Sequence, residues 1–176
     1  MSGEAEKPLV SMEVSFGEAP PQGMVTPLCQ SLLELCRPVF DDEDAAARLR
    51  LIAHELVENI VKYSAGGPCE LRFELRRDKS NATGSAFFAS VQTRNVPRLE
   101  NRPDAEERLA ALTAARDPLE HYDSIIADSA RQPAGSGLGL ARIHAETEYR
   151  LSHRFEGETL VIVAGGEVWL KKGALP

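Results

Sequence analysis

The sequence predicts an α+β fold, a two-layer sandwich in which a mixed, mainly antiparallel sheet is covered on one face by helices. Three observations lead to this prediction. A long apolar helix is indicated from about Glu43 to Ser64, strict alternation over 70–76 indicates a strand, and further strand patterns lie near the end of the chain. Helices grouped on one face of such a sheet give a two-layer architecture.

The first part of the chain is predicted to contain a strand and two helices. Partial alternation over 9–16 indicates the strand, and a proline-containing loop follows over 17–23. Leucines at helical spacing indicate a helix from about Thr26 that ends before Pro38. The acidic residues at 41–44 suit the start of the long helix as caps, and Gly66-Gly67-Pro68 ends it.

The second part is predicted to alternate between strands and helices. Strands over 70–76 and 87–93 form a hairpin around a polar turn at 79–85, with Leu71, Phe73 and Leu75 facing the core. Two helical segments follow over 103–116 and 118–130. The remaining predicted elements are a helix over 138–148 and strands over 149–155, 159–164 and 167–170.

The bulk composition limits the classes of partner. The chain has 176 residues, which predicts one domain over 1–176, with residues 1–7 disordered. Its net charge of −7 argues against nucleic acid, because binding a phosphate backbone needs clustered Lys and Arg. The sequence shows no signal-like apolar segment and no run long enough to cross a membrane, so we expect a cytoplasmic protein with no membrane partner.

Cysteine and histidine patterns favour a structural role. The chain has three cysteines, Cys29, Cys36 and Cys69. They show no CxxC spacing, and the first two would share a helix face as small apolar residues. His54 and Glu55 begin an HExxH-like string, but Glu58 stands where its second histidine would be. The sequence therefore does not predict a metal site built only from protein ligands.

A polar stripe interrupts the apolar surface of the long helix. Glu55, Asn59 and Lys62 follow one another at spacings of four and three residues, which places them along one side. A carboxylate, an amide and an ammonium group on a mostly buried helix indicate a polar site, because burying such groups without partners is costly. The alternative is that Glu58 and Lys62 form a surface ion pair and that the stripe faces water.

A glycine-rich segment precedes the helix predicted at 138–148. Gly135, Gly137 and Gly139 alternate with other residues directly before it, and backbone N–H groups there could bind a phosphate with help from the helix N-terminus. The segment is not a Walker loop, because no GK[ST] follows, and it lacks the GxGxxG spacing of dinucleotide-binding folds. A flexible helix entry without a ligand is the alternative.

Together the two segments resemble the GHKL ATPase superfamily, which includes gyrase, heat-shock chaperones, histidine kinases and mismatch-repair proteins. Residues 55–63, ELVENIVKY, look like that family's asparagine box, and residues 135–140, GSGLGL, look like its second glycine box. Residues 156–160, EGETL, are similar to the turn before the family's last strand. The short single-domain members are the most similar: the anti-sigma-factor serine kinases of bacterial partner-switching systems.

The resemblance implies a role for each matching position. Asn59 would hold a Mg²⁺ ion that bridges the ATP phosphates, and Glu55 would be the general base. Residues 99–134 would form a lid over the nucleotide. The other implied contacts are Lys62, Gly135, Gly137 and Gly139 at the phosphates, and Thr159 and Asn95 on the adenine side. The implied partners are a small anti-sigma-antagonist-type protein and a second copy of the chain.

One part of the family pattern is changed. Asn95 stands where the first glycine box has its adenine-binding aspartate, and Pro97 stands where that box has its first glycine. Asparagine can still accept a hydrogen bond but has no charge, and proline lacks an N–H group. Three hypotheses follow: an ATP- and Mg²⁺-dependent serine/threonine kinase, a binding module with a degenerate nucleotide site, and a histidine phosphotransfer protein. The last would need His54, which lies about 100° around the helix from Glu55.

Overall fold

The computed structural model describes residues 7–77, 86–129 and 137–174 of the chain. In chain order its elements are β1 (Val10–Phe16), α1 (Gln22–Cys36), α2 (Glu43–Tyr63), β2 (Cys69–Arg77), β3 (Ala86–Asn95), α3 (Arg102–Ala114), α4 (Pro118–Ser129), α5 (Leu138–Glu146), β4 (Arg150–Glu156) and β5 (Thr159–Trp169). A 3-10 turn at Leu99–Asn101 leads into α3. The predicted turn at 79–85 and the segment 1–6 lie outside the described residues.

The strands form one sheet in the order β1-β2-β3-β5-β4. All neighbouring pairs in this sheet are antiparallel, so the prediction of a mixed sheet is corrected to an antiparallel one. Hairpins explain this, because β2 leads to β3 and β4 leads to β5 through connections too short for a parallel crossover. The last strand, β5, lies between β3 and β4. Because β5 runs antiparallel to β3, the first residues of β5 pair with the end of β3.

The core lies between the sheet and the helices α1 and α2. Leu71, Phe73 and Leu75 alternate along β2 and are almost completely buried, as the sequence pattern predicts. Leu49 and Leu56 of α2 are also fully buried. Apolar burial on one side of the sheet supplies the main stabilising free energy of such a two-layer fold.

The opposite face of the sheet is charged. Arg72 pairs with Glu13 across the β1–β2 pair. On the same face, toward β4, Arg94 Nη2 lies 2.6 Å from Glu156 Oε2, and Arg154 Nε lies 2.8 Å from Glu156 Oε1. Solvent screens exposed pairs of this kind, so they contribute little to stability and mainly keep this face hydrated. The helices accordingly cover the other face, which confirms the predicted two-layer arrangement.

Two element boundaries differ from the prediction. Helix α1 begins at Gln22 rather than near Thr26 and includes Pro27, because its first turns bury Val25 against the core. The expected break near residues 165–166 does not exist, and β5 continues from Thr159 to Trp169. A Cβ added at Gly165 would lie 2.5 Å from the Phe88 ring, so this glycine provides space for an aromatic neighbour and does not form a turn.

The central helix agrees closely with its prediction. It runs from Glu43 to Tyr63, and the Asp42 carboxylate accepts a hydrogen bond from the backbone N–H of Asp44 at 2.8 Å. This is the expected acidic N-cap, which satisfies one of the N–H groups left free at a helix start. Within the described residues, no helix is both long and apolar enough to span a membrane.

Candidate functional site

The polar stripe of α2 faces a cleft where this helix meets the start of α5. The cleft has a volume of about 370 Å³. Its lining residues are Glu55, Asn59, Lys62, Tyr63, Tyr122, Gly137, Leu138, Gly139 and Arg142. The volume lies within the range of roughly 300–1,000 Å³ that is typical of small-molecule sites. The structure thus brings together the acidic residue, the amide, the lysine and two of the glycines singled out in the sequence.

The glycines allow α5 to begin very close to α2. Gly137 is the residue before the helix and has φ of 66°, a left-handed conformation that favours glycine, and no side chain caps the helix there. A Cβ added at Gly139 would lie 2.3 Å from Glu55 Oε2. The absence of a side chain at 139 therefore lets the Glu55 carboxylate reach the first turn of α5. Gly135 lies outside the described residues.

Charged groups in the cleft are already paired with each other. Arg142 Nη1 lies 3.5 Å from Glu55 Oε1, and Arg142 Nε donates to Glu146 at 3.0 Å. The hydrogen bond to Glu146, followed by the nearby charges of Glu146 and Glu55, raises the pKa of Arg142 above its usual value. The acidic and basic groups of the cleft consequently neutralise one another across the α2–α5 contact.

Lys62 fits both interpretations of the polar stripe. It lines the cleft, as the polar-site interpretation predicts, and its Nζ lies 2.5 Å from Glu58 Oε2, as the ion-pair alternative predicts. The hydrogen bond from Lys62 lowers the pKa of Glu58. The two interpretations are therefore compatible, because the ion pair lies along the rim of the cleft.

Asn59 has an unsatisfied polar atom. Its Nδ2 is buried and has no hydrogen-bond partner among the described residues. Leaving a buried N–H donor without a partner costs about 1–3 kcal/mol, so native proteins usually satisfy it with protein, water or a ligand. Because this amide lines the cleft, it is positioned to bind a ligand that carries hydrogen-bond acceptors.

The two residues that the resemblance places on the adenine side, Asn95 and Thr159, lie at the end of the β3–β5 pair. Asn95 is buried at the end of β3, where it is paired in register with Leu160, next to Thr159. Neither Asn95 nor Thr159 is among the described residues that line the cleft. The structure thus places these two residues near each other at the end of the β3–β5 pair.

The segment that replaces the first glycine box is bound to the end of α2. The backbone N–H of Ala65 donates to the Val96 carbonyl at 2.8 Å, and that of Arg98 donates to the Tyr63 carbonyl at 3.0 Å. Pro97, which has no N–H group, lies between these two hydrogen bonds. This short ladder fixes the chain after β3 against α2 where a glycine loop would leave it adaptable.

The cysteines and His54 have environments typical of structural residues. All three cysteines are buried and free. Burial raises the pKa of the Cys29 thiol to about 11 and that of the Cys36 thiol to about 12, so both stay protonated. His54 Nε2 lies 4.0 Å from Glu58 Oε1. In the described ranges, no three His, Cys, Asp or Glu side chains are grouped as a metal site would require.

Two lining residues lie outside the two segments that the sequence analysis singled out. Tyr122 belongs to α4, within the 99–134 connector that the resemblance treats as a lid, and Arg142 belongs to α5. A signal for Arg142 was available, since it follows Gly139 by one helical turn and side chains on a helix lean toward its N-terminus. No comparable signal points to Tyr122, whose position depends on how α4 packs against α5.

Comparisons with known proteins support the fold. No protein-family model matches this chain, and no curated protein matches its sequence. Among solved structures, it is similar to a chain in the crystal structure of the SiaB-SiaC complex from Pseudomonas aeruginosa. The TM-score is 0.57 and the identity 14%, with 87% of this chain and 88% of the other covered. At this identity the likeness concerns the fold.

Proposed function

We propose that this protein is an ATP- and Mg²⁺-dependent regulator that phosphorylates or sequesters a small protein partner, as the serine/threonine kinases of partner-switching systems do. The main supporting observation is the convergence of Glu55 and Asn59 with the glycines at the start of α5 in one cleft. These residues lie far apart in the chain. An asparagine box and a second glycine box must lie close together to bind the same phosphates, and these residues do.

The residues at this cleft fit a magnesium–triphosphate group. Asn59 lines the cleft with an amide whose oxygen is of the type that Mg²⁺ takes as a ligand, and the N-terminus of α5 is not capped by a side chain. Helix N-terminal N–H groups and the helix dipole favour phosphate there. Asn59 would hold the metal with the phosphates, and Lys62 would contribute a nearby positive charge.

The proposed reaction is transfer to a hydroxyl group of the partner. Bound ATP would supply its γ-phosphoryl group to the hydroxyl oxygen and leave as ADP, while Mg²⁺ would neutralise the phosphate charge. Glu55 would accept the proton released by that hydroxyl group. Its carboxylate lies against the first turn of α5 and 3.5 Å from Arg142 Nη1, so it is already at the cleft before a ligand enters.

The protein-partner part of the proposal is supported by the structural neighbour. That chain was crystallised in a complex that contains SiaB and SiaC, so a protein of this architecture forms a complex with another protein. We extend this to a small regulatory partner of the present chain. The homodimer implied by the resemblance stays a prediction.

The proposal is tested by titrating the purified protein with ATP and Mg²⁺ in a calorimeter. We expect saturable binding that Asn59→Ala weakens by about tenfold or more, because loss of a ligand or its support typically costs 10–100-fold in metal affinity. Gln92→Ala is the matched control, since it removes an amide from the middle of β3 and not from the cleft. Absence of binding at millimolar ATP, with protein shown to be folded, would overturn the nucleotide-dependent function.

A binding module without nucleotide is the second candidate. The observation that favours it is the placement of Asn95 and Thr159 outside the cleft, together with the backbone ladder that fixes residues 96–98 against α2. In that case the protein would control its partner by contact alone. Partner affinity would then be the same with and without ATP, and Asn59→Ala would leave it unchanged.

A further inference from the structure

Arg142 has an unusual environment for a residue that sequence motifs do not mark. Its side chain lines the cleft, is 44% exposed, and lies between two carboxylates of different elements. The hydrogen bond from Nε to Glu146, within α5, is 3.0 Å long, whereas the contact from Nη1 to Glu55 of α2 is 3.5 Å long. Charge-assisted hydrogen bonds are usually about 2.7–2.9 Å long, so Glu55 is the more weakly held partner.

The guanidinium group has capacity for another partner. It carries five N–H donors in a planar fork, and Nε is the atom hydrogen-bonded to Glu146. Nη1 is the atom nearest Glu55, and the residue lines the cleft. Lys62, the other cation that lines the cleft, has a shorter contact to Glu58. An incoming anion would therefore displace Glu55 from Arg142 more easily than it would displace Glu58 from Lys62.

The surroundings of Arg142 suit a phosphate group in particular. Arg142 Nη1 contacts the Glu55 carboxylate, which lies against Gly139, so the guanidinium is near the first turn of α5, where Gly137 provides no side-chain cap. Asn59 lines the same cleft from α2, and its buried Nδ2 has no hydrogen-bond partner among the described residues. A planar donor fork, a helix N-terminus and a free amide donor together match the several acceptor oxygens of a phosphate.

We infer that Arg142 is a phosphate-binding residue of this cleft, and that Glu55 occupies its guanidinium until a phosphate group replaces the carboxylate. The inference rests on the proposed function, because it requires a polyphosphate ligand in the cleft. Entry of the ligand breaks the Arg142–Glu55 pair and frees the Glu55 carboxylate. Ligand binding is thus coupled to release of the group that would accept the proton.

Calorimetric titration with inorganic tripolyphosphate and Mg²⁺ tests the inference without relying on adenine recognition. Arg142→Gln should weaken tripolyphosphate binding by about tenfold or more, since hydrogen bonds to charged groups are strong. Arg142→Lys should be intermediate, because it keeps the charge but loses the fork. Arg154→Gln, which removes an exposed arginine on β4, is the matched control and should leave binding unchanged.

The exchange itself is tested by removing the competing carboxylate. Glu55→Gln should bind tripolyphosphate several-fold more tightly than the wild type, and this gain should disappear when Arg142→Gln is also present. A merely structural contact would not produce such coupling. Circular dichroism and thermal unfolding of each variant confirm that the fold is intact.

The outcomes separate this inference from the proposed function. If the wild-type protein binds tripolyphosphate but Arg142→Gln binds it equally well, the inference is overturned and the proposed function stands. If Glu55→Gln tightens tripolyphosphate binding equally in the wild type and in the Arg142→Gln variant, the exchange is overturned. The gain would then come from removing a negative charge and not from freeing Arg142. If the wild type binds neither tripolyphosphate nor ATP, the proposed function fails as well.

Discussion

The two faces of helix α2 have opposite properties. Leu49 and Leu56 on one face are fully buried against the core, whereas Glu55 and Asn59 on the other line an open cleft. The side chains of the apolar face are packed completely into the core. The polar face retains an unpartnered amide donor and a carboxylate held by a long ion pair.

This contrast shows how one helix can serve both stability and function. The buried face fixes the orientation of the helix, and the orientation then determines where the polar side chains lie. Sites built on rigid elements keep their groups in place more accurately than sites built on loops. Local violations of polar satisfaction are expected at functional sites, where the rest of the fold compensates for their cost.

The largest predicted difference between the faces concerns stability. Leu56→Ala should lower the free energy of unfolding by about 2–5 kcal/mol, because it removes a fully buried side chain and leaves a cavity. Asn59→Ala, one turn away on the polar face, should change it by less than about 1 kcal/mol, since it also removes an unsatisfied donor. Urea unfolding measures both. Equal losses in the two variants would contradict the proposed division between the faces.

A smaller effect is predicted where the polar face meets α5. Gly139→Ala would place a Cβ 2.3 Å from Glu55 Oε2, so the carboxylate must move. Because this atom is the end of a flexible side chain, we expect a loss of about 0.5–1.5 kcal/mol, the cost of an unfavourable rotamer. Thermal unfolding measures the loss, and tripolyphosphate titration reports on the cleft.

The Gly139→Ala result has a clear control. Gly23→Ala adds a methyl group inside α1, where nothing lies within 4 Å of the new Cβ. It should be neutral or slightly stabilising, since alanine favours helices more than glycine does. If Gly139→Ala behaved in the same way and left ligand binding unchanged, the close contact between α5 and Glu55 would have no functional importance.

The smallest effect is predicted for the Glu58–Lys62 pair at the rim of the cleft. Lys62→Met should cost only about 0.3–0.5 kcal/mol near neutral pH, because this is a solvated pair at helical spacing. The hydrogen bond from Lys62 lowers the pKa of Glu58 in the folded state. The stabilisation is therefore present above the ordinary glutamate pKa of about 4.3 and is lost as the pH falls through the lower folded value.

Urea unfolding of the wild type and Lys62→Met at neutral and at acidic pH checks this sign. The stability difference between the two proteins should shrink in acid. A difference that stays the same at both pH values would mean that the Lys62 effect comes from packing of its aliphatic chain and not from the charge pair.

The fold was predictable where periodic patterns extend over many residues. The apolar face of α2 and the alternation along β2 each determine which side is buried, and both are confirmed. The prediction was wrong where a local signal was overridden by packing. Pro27 lies inside α1, and Gly165 lies inside β5, because burial of Val25 and the space needed by Phe88 decide those segments.

The candidate site was predictable in part. The four- and three-residue spacing of Glu55, Asn59 and Lys62 places them on one side of a helix whatever surrounds it, and the structure agrees. Arg142 could not be assigned to Glu55 from spacing, because the pair depends on how α5 packs against α2. The position of Asn95 opposite Leu160 likewise depends on strand pairing, and the backbone ladder that joins residues 96–98 to the end of α2 depends on how these elements pack.

The sequence by itself determined the local elements, the buried faces and the residues of the polar stripe, because side-chain periodicity depends only on helix and strand geometry. Tertiary structure alone decided which elements meet. It brought Gly139 and Arg142 against Glu55 and positioned Tyr122 at the cleft. Contacts between distant segments depend on the packing of whole elements, and no local pattern in the chain encodes that packing.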